Sequence, residues 1–334
     1  MELSAIYKPV RGDLELLQGK LDATLKASDV DLARQVGAFI AESPGKRIRP
    51  ALVALSARAA QTNGTQAGGG DLIGVAAAME LVHVASLIHD DVIDKSPLRH
   101  NRPTVNIKWK EEVGILFGDY VYSMAIGLIA KSGNGTIFTC LSDTVTLMCE
   151  GQLAQVTQRY NYDLSKDAYI SIVSKKTASL FAACCRIGGV LAGGEKQTID
   201  SLAEYGLNMG IAYQIIDDYR DVIDLRGRLG KDPGQDILLG EMTLPIMNLI
   251  AVTKDENKAE LIELLKAELS PETMDKIRGE FLASDAAAMT RKAIMDYIGK
   301  ANDSLTRLAD SECKTSLAGL VDVLAAKITE EVKV

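Results

Sequence analysis

The sequence predicts an all-α protein, on three observations. Segments of helical length carry apolar residues at helical spacing, with little of the strict alternation typical of strands. Hydrophobic residues make up 47% of the 334 residues but aromatics only 5%, so the core must consist mainly of Ala, Leu, Ile, Val and Met, which suits closely packed helices. Clusters of Gly, Asn, Ser and Thr separate the helical segments. No stretch resembles an interdomain linker, so we expect one helical domain over residues 1–334. Loops are predicted at 61–70, 131–136, 193–198 and 225–240.

The clearest predicted helix runs from Asp71 to Asp94. Residues three or four positions apart share a helical face, so His83, Asp90 and Asp94 should lie on one side. The apolar run Leu72–Ile88 within this helix contains a glutamate and a histidine, which favours a buried helix over a membrane span. Towards the C-terminus the chain is predicted to form amphipathic helices.

The predicted helix Asp71–Asp94 ends on an acidic cluster, Asp90, Asp91 and Asp94. A second predicted helix, Ser201–Asp224, ends on a cluster with the same spacing, Asp217, Asp218 and Asp221. Three like charges on one helical turn repel unless cations neutralise them. Mg²⁺ prefers carboxylate oxygens and leaves coordination positions to water and substrate phosphates. One such cluster is common on surface helices, but two copies, each preceded by apolar residues, indicate a site for metal ions and one diphosphate. The predicted Mg²⁺ ligands are Asp90, Asp91, Asp94, Asp217, Asp218 and Asp221.

Basic residues near these clusters are candidates for holding an anion. Arginine offers a planar fork that matches phosphate oxygens, and lysine offers a compact charge. Any one of them alone is typical of a solvated surface. The candidates are Lys46, Arg47, Arg49, Arg99, His100, Arg102, Lys175, Lys176 and Lys231.

The overall charge and the remaining reactive residues exclude several function classes. A net charge of −8 argues against nucleic acid as a partner. The five cysteines show no metal-ligand spacing, and no signal peptide is apparent, so we expect a reducing, cytoplasmic location. Zinc ligation by histidine is not indicated. His83 is instead expected to donate a hydrogen bond to a phosphate, and His89 to pack between helices.

Seven stretches of the chain, taken together, resemble the trans-isoprenyl diphosphate synthases (polyprenyl synthetases), most closely the medium- and long-chain ones. The resemblance covers about residues 30–310. It implies the isoprenoid synthase fold, an all-α bundle around a deep central cavity, and a homodimer. The stretches are GKRIRP (45–50), MELVHVASLIHDDVIDKSPLRHNRPTVN (79–106), FGDYVYSMA (117–125), EGQLAQ (150–155), KTASLF (176–181), YQIIDDYRDVID (213–224) and GKDPGQDILLGEMTLP (230–245).

The resemblance also implies a reaction, the head-to-tail condensation of isopentenyl diphosphate with an allylic diphosphate, assisted by three Mg²⁺ ions. Metal ions and cations would stabilise the departing diphosphate, the alkene would attack the allylic cation, and apolar walls would exclude water. Where the chain matches the family's motifs residue by residue, the resemblance implies that the six aspartates bind Mg²⁺. The allylic diphosphate would be held by Arg99, Lys176, Thr177, Gln214 and Lys231, and isopentenyl diphosphate by Lys46, Arg49, His83 and His100.

The chain departs from the family pattern at two positions. His100 stands where a second arginine is usual, so we expect weaker binding of isopentenyl diphosphate, more so at high pH, with Arg102 close enough in sequence to assist. A KM unchanged between pH 6 and 9 would contradict this. Glu241 stands where lysine is common. It either removes a positive charge from the diphosphate region or pairs with a neighbour such as Lys231, and the sequence does not decide between these.

The length of the product is predicted from the residues one turn below Asp90. Ala85 and Ser86 are small, which leaves the cavity floor open and predicts a long polyprenyl product whose release brings transient membrane contact. Alternatively, a neighbouring helix supplies the stopper and the product is farnesyl or geranylgeranyl diphosphate. The candidate stoppers are Tyr120, Tyr122 and Met124. A terpene cyclase, a regulatory subunit and a helical scaffold are less consistent with six retained aspartates.

Overall fold

The computed structural model describes residues 2–43, 45–61, 71–223, 234–267 and 270–331. In these ranges the chain is almost entirely helical, which confirms the all-α prediction. The one sheet in the described ranges is the antiparallel pair β1 (Leu98–Arg99) and β2 (Arg102–Pro103).

Eight helices of the described ranges form the first half of the chain, and the first acidic cluster lies at the end of the fifth. They are α1 (Leu3–Ile6), α2 (Arg11–Leu25), α3 (Asp31–Ala41), α4 (Ile48–Ala59), α5 (Leu72–Ile93), α6 (Val105–Trp109), α7 (Glu111–Lys131) and α8 (Gly135–Thr157). Those of the second half are α9 (Lys166–Val173), α10 (Ser179–Leu191), α11 (Lys196–Ile223), α12 (Gln235–Leu238), α13 (Leu244–Val252), α14 (Asp255–Lys266), α15 (Pro271–Ala283), α16 (Asp285–Leu305) and α17 (Glu312–Glu331). A 3₁₀ turn (Lys8–Val10) precedes α2, and a π-helical turn (Ser174–Ala178) joins α9 to α10.

Two long central helices, α5 and α11, carry the acidic clusters at their C-terminal ends. Helix α5 packs mainly against α7, and α11 mainly against α10 and α16. Helix α10 also packs against α4, which connects the two halves of the bundle. The core is built largely from aliphatic side chains, as the low aromatic content predicts.

The helix ends follow the sequence signals closely. The Asp71 side chain caps α5 by accepting from the backbone N–H of Gly74 at 2.7 Å, and Asp94 is its C-cap. Ser270 caps α15, with proline at its first position. The predicted loop 131–136 joins α7 to α8, whereas α11 begins earlier than predicted and shortens the loop 193–198. Residues 62–70 and 225–233 of two other predicted loops lie outside the described residues, as does residue 224, the predicted end of the second acidic helix.

Two helices in the described ranges, α5 and α7, are long and apolar enough to cross a membrane by length and composition alone. Within the apolar window of α5, 61% is buried inside the protein, which agrees with the predicted core helix. The corresponding figure for α7 is 39%, because one face of α7 exposes apolar side chains.

Glycines let the two acidic helices approach their neighbours closely. On α11, a Cβ at Gly210 would lie 2.6 Å from the Cα of Ala178 in the π-helical turn. On α7, a Cβ at Gly118 would overlap the imidazole ring of His89 from α5. Each acidic cluster is therefore positioned by a helix contact that a larger residue would push apart.

Candidate active site

The two acidic clusters lie close enough to share charged partners. Arg99 interacts electrostatically with Asp90 and Asp91 of the first cluster and with Asp217 of the second. Glu241 likewise interacts with acids of both clusters. These shared partners link five of the predicted ligands, Asp90, Asp91, Asp94, Asp217 and Asp218, across the two clusters.

Arginines hold the first cluster. The Asp91 carboxylate is buried and accepts from Arg99 at 2.9 Å (Nε) and 2.7 Å (Nη2). Arg99 is presented by the β1–β2 hairpin. Asp94 accepts from Nη2 of Arg159 at 2.7 Å. Burial raises the pKa of the Asp90 carboxyl, and the nearby charge of Lys176 opposes that rise.

In the second cluster, the hydrogen bonds that the described residues make to Asp218 come from neutral donors. Asp218 is buried, and its carboxylate accepts from the Tyr169 hydroxyl and from Nε2 of Gln214, the latter at 2.8 Å. Asp221 accepts from the backbone N–H of Asp236 at 3.2 Å. Burial raises the pKa of the Asp218 carboxyl to about 7, because a charged carboxylate loses more hydration there than these neutral bonds return.

The π-helical turn directs two consecutive side chains into the site. Lys176 donates from Nζ to Oε1 of Gln155 at 2.7 Å, and Thr177 donates from its hydroxyl to Oε1 of Gln214 at 2.8 Å. Gly151 on α8 lies directly against the backbone of Lys176, where a Cβ has no room. The candidate diphosphate-binding residues Lys176, Thr177 and Gln214 therefore lie beside the acids.

The candidate isopentenyl diphosphate residues partly converge on His83. Burial, and then the charges of Arg49, Arg99, Arg47 and His100, lower the pKa of His83 well below its usual value. The Arg49 guanidinium stacks 4.7 Å from the Phe181 ring centroid, and its Nε is buried without a hydrogen-bond partner in the described part of the chain. Such a concentration of positive charge around a neutral imidazole is suited to an anion.

Lys46 and Arg47 play different parts in this region. The Lys46 side chain is exposed, while its backbone carbonyl accepts from the Tyr7 hydroxyl at 2.9 Å. Arg47 adopts a left-handed backbone conformation, with φ of 50°, and donates to the buried Glu80 at 2.9 Å and to Gln18. It is therefore engaged as a structural ion pair.

Arg102, which was expected to assist His100, has its own contacts in the described residues. Its guanidinium lies 4.3 Å from the Phe39 ring centroid and bonds Ser43 at 3.1 Å and Glu42 at 3.3 Å. The Arg102 side chain thus packs on α3 and on the two residues after it, and its assistance to His100 stays a prediction. His100 lies in that turn, with φ of 52°.

Two further predictions concern helix packing and the cavity floor. His89 packs against α7, with Nε2 3.2 Å from the carbonyl oxygen of Ile115, as its predicted packing role requires. Ala85 is buried, and the Ser86 hydroxyl donates to the carbonyl oxygen of His83 at 2.9 Å. Tyr120, an alternative stopper, has its ring centroid 5.8 Å from that of Phe117 on the same helix.

Sequence reasoning missed several residues of the site. Tyr169 donates to Asp218, Gln155 bonds Lys176, and Arg159 bridges Asp94 and Glu241. In the described residues, Glu241 forms an ion pair with Arg159, a residue 82 positions away that no local motif marks. The predicted diphosphate ligand Lys231 lies outside the described residues.

The carboxylates of this site suit a hard divalent cation. The donors are oxygen atoms, and burial raises the pKa of Asp90, Asp91 and Asp218, so added positive charge would relieve an existing electrostatic cost. In the described residues no three acidic, His or Cys side chains converge as a ready-made metal site. The aspartates that would bind the ion are instead held by arginines, neutral donors and a backbone N–H.

Comparison with known proteins agrees with the predicted family. The family model described as polyprenyl synthetase matches residues 30–280. Heptaprenyl diphosphate synthase component 2 of Geobacillus stearothermophilus is 32% identical over 324 residues, which cover 96% of this chain and 97% of that protein. The short chain isoprenyl diphosphate synthase of Methanothermobacter thermautotrophicus is 34% identical over 284 residues, covering 83% and 85%.

A solved structure gives the same result for the fold. The polyprenyl synthase of Caulobacter crescentus, complexed with calcium and isoprenyl diphosphate, is 28% identical and has a TM-score of 0.90, covering 97% of this chain and 98% of that one. The isoprenoid synthase fold is thereby confirmed. This chain belongs to the polyprenyl synthetase family and is a prenyltransferase of the polyprenyl diphosphate synthase type.

Proposed function

We propose that this enzyme condenses isopentenyl diphosphate head-to-tail with an allylic diphosphate, with the help of Mg²⁺, to make a long all-trans polyprenyl diphosphate. The observation that carries the proposal is the sharing of Arg99 and Glu241 by the two acidic clusters. Two facing sets of carboxylates can bind cations between them, and a diphosphate is the anion that such cations would hold. The calcium and isoprenyl diphosphate named for the Caulobacter structure agree with this ligand class.

The side chains divide into two anion sites. Arg99, Lys176 and Thr177 surround the acids and would hold the allylic diphosphate, with Lys231 and Gln214. The positive charges around His83 would hold isopentenyl diphosphate, with His83 donating as a neutral imidazole. Mg²⁺ bound by the six aspartates would neutralise the leaving diphosphate as the allylic C–O bond ionises.

An elongation assay tests this function. The purified protein is incubated with Mg²⁺, labelled isopentenyl diphosphate and allylic primers of increasing length, and the products are sized. We expect labelled polyprenyl products that require both Mg²⁺ and an allylic primer. Hydrolysis or cyclisation of the allylic substrate without incorporation of label would contradict the proposal.

The long product is supported by the small residues below Asp90. Ala85 is buried on α5, so a larger side chain there would occupy space that the growing chain needs. We expect Ala85→Phe to shorten the longest product by at least one isoprene unit, with Ala85→Val as a smaller step. The same distribution of products from all three proteins would move the stopper to another helix, such as α7. The relatives themselves range from short-chain to heptaprenyl synthases.

The proposed assembly is a cytoplasmic homodimer. The outer faces of α7 and α8 expose large apolar side chains, which a second copy would cover. The most exposed are Ile115, Leu116, Phe138, Leu147, Leu153 and Val156. Light scattering on the purified chain should give twice the monomer mass. The name of the Geobacillus relative, component 2, makes a heteromer the alternative, and a monomer inactive without a second protein would favour it.

A further inference from the structure

Arg159 is held by two carboxylates at once. It follows α8, and its Nη2 lies 2.7 Å from Oδ1 of Asp94 and 3.1 Å from Oε1 of Glu241. The three side chains are 20%, 18% and 7% exposed, respectively, so solvent screens their charges only weakly. A single guanidinium therefore divides its interaction between a predicted metal ligand and a second, buried acid.

The position of Glu241 is fixed from several directions. Its backbone N–H donates to the carbonyl oxygen of Asp236 at 2.8 Å, and its second carboxylate oxygen accepts from the amide of Gln155. That amide in turn accepts from Lys176 at 2.7 Å. The carboxylate is thus held in place, although burial beside Asp94 raises its pKa.

Without Glu241, the guanidinium would pair with Asp94 alone. Asp94 must offer an oxygen to a divalent cation if it acts as a ligand, and a guanidinium bound to the same carboxylate competes with that cation and repels it. Glu241 offers Arg159 a second partner of the same charge, in contact distance and already oriented. It also compensates the charge of Arg159, so the pair adds no net positive charge beside the metal ligands.

We propose that Glu241 is a positioning residue that shares the guanidinium of Arg159 with Asp94 and so sets the affinity of the first cluster for divalent cations. This inference rests on the proposed function. It explains why a carboxylate stands at a position where lysine is common, since a lysine there would meet Arg159 and leave that arginine to Asp94. The role of Glu241 is indirect, because it acts through Arg159.

The test measures cation affinity apart from turnover. The unfolding midpoint of the purified protein is followed as Mg²⁺ is added at a fixed, saturating concentration of inorganic pyrophosphate. We expect Glu241→Gln to raise the Mg²⁺ concentration for the half-maximal shift about tenfold, corresponding to ~1.4 kcal/mol. Arg159→Gln should leave this concentration unchanged or lower it. The double variant should return to within about threefold of the unmodified protein, because it removes both charges.

Glu204→Gln is the matched control. Glu204 pairs with Arg307 at the same 3.1 Å, but on the surface, with the two side chains 49% and 53% exposed. It should behave as the unmodified protein. The inference is overturned if Glu241→Gln matches Glu204→Gln, or if the double variant is as weak as Glu241→Gln. Should Glu241→Gln fail to fold, Arg159→Gln still decides, since a higher Mg²⁺ requirement in that variant contradicts the inference.

The elongation assay separates this inference from the proposed function. If the unmodified protein elongates an allylic primer while the variants show no difference in Mg²⁺ requirement, only the role of Glu241 fails. If the unmodified protein neither elongates a primer nor responds to Mg²⁺ with pyrophosphate, the proposed function fails with it. Steady-state kinetics provide a second readout, because a positioning defect should raise the Mg²⁺ requirement more than it lowers kcat at saturating Mg²⁺.

Discussion

The two acidic clusters have the same sequence pattern but are stabilised in different ways. On α5, Asp91 and Asp94 each have an arginine partner, Arg99 and Arg159. On α11, the buried Asp218 accepts from a tyrosine hydroxyl and a glutamine amide in the described part of the chain. Asp91 and Asp94 in the first cluster are therefore each paired with a positive charge, whereas Asp218 in the second accepts hydrogen bonds from neutral donors.

This difference predicts which cluster depends more on added cations. A charged partner offsets more of the free-energy cost of desolvating a buried carboxylate than a neutral hydrogen bond does. Burial raises the pKa of Asp91 as well, but Arg99 opposes that rise through a bidentate bond. Burial raises the pKa of Asp218 to about 7, so without metal the ionised Asp218 carboxylate costs more free energy than that of Asp91.

The largest expected effect comes from neutralising one acid in each cluster. Asp91→Asn and Asp218→Asn should both lower kcat/KM by on the order of 10³-fold, because each removes charge from the site that holds the leaving group. Their effects on metal-free stability at pH 8 should have opposite signs. Asp91→Asn leaves Arg99 without its full partner and should cost about 2 kcal/mol, whereas Asp218→Asn should stabilise by about 1 kcal/mol.

Denaturant unfolding of both variants in the presence of a chelator provides the measurement. The isosteric replacements serve as controls for each other, since they differ only in the partner left behind. Destabilisation by Asp218→Asn as large as that by Asp91→Asn would show that the two clusters do not differ in the way described.

A smaller effect is expected from filling the glycine contacts beneath each cluster. A Cβ at Gly210 would meet the backbone of Ala178, which cannot move without shifting the π-helical turn, so Gly210→Ala should cost about 3 kcal/mol. A Cβ at Gly118 would meet the His89 side chain, which can rotate, so Gly118→Ala should cost only about 1 kcal/mol. Thermal unfolding of both variants tests this order, and Gly127→Ala, with open space around its Cβ, is the control. The reverse order would place the stiffer contact beneath the first cluster.

The smallest expected effect concerns pH and the cationic pocket beside the first cluster. Because the pKa of folded His83 lies well below 6.5, the unfolded chain binds a proton there that the folded protein does not. The stability that His83 contributes is therefore present above about pH 6.5 and falls at lower pH, by at most about 1.4 kcal/mol per unit.

His83→Gln should remove this slope. The difference in unfolding free energy between this variant and the unmodified protein should change between pH 7 and 5 in favour of the variant. A difference that does not vary with pH would mean that His83 titrates normally in the folded protein.

Much of the fold and part of the site could be predicted from the sequence, for physical reasons. The spacing of Asp90, Asp91 and Asp94 places them on one helical face wherever the helix lies, and the capping Asp71 marks its start. Such local signals need no knowledge of tertiary structure. The six aspartates and Lys176 were found in this way or through the family resemblance.

The rest depends on contacts between distant parts of the chain. Tyr169 is an ordinary tyrosine in sequence, and its bond to Asp218 exists only because α9 packs beside α11. The pairing of Arg159 with Glu241 joins the end of α8 to the segment after α12, and nothing near either residue indicates it. The stacking of Arg102 on Phe39 likewise joins β2 to α3, and nothing in the local sequence indicates it.

The π-helical turn at Ser174–Ala178 makes this enzyme sensitive to the number of residues in it, and not only to their identity. Successive side chains of an ordinary α-helix diverge by about 100°. The wider turn instead lets neighbours such as Lys176 and Thr177 both bond to polar side chains beside the acids. Deleting a single residue from this short turn would preserve a helix but rotate everything beyond it, so that Lys176 or Thr177 would lose its bond beside the acids. Insertions and deletions here should therefore be tolerated far less than substitutions, and chimaeras with relatives should exchange the whole turn as a unit.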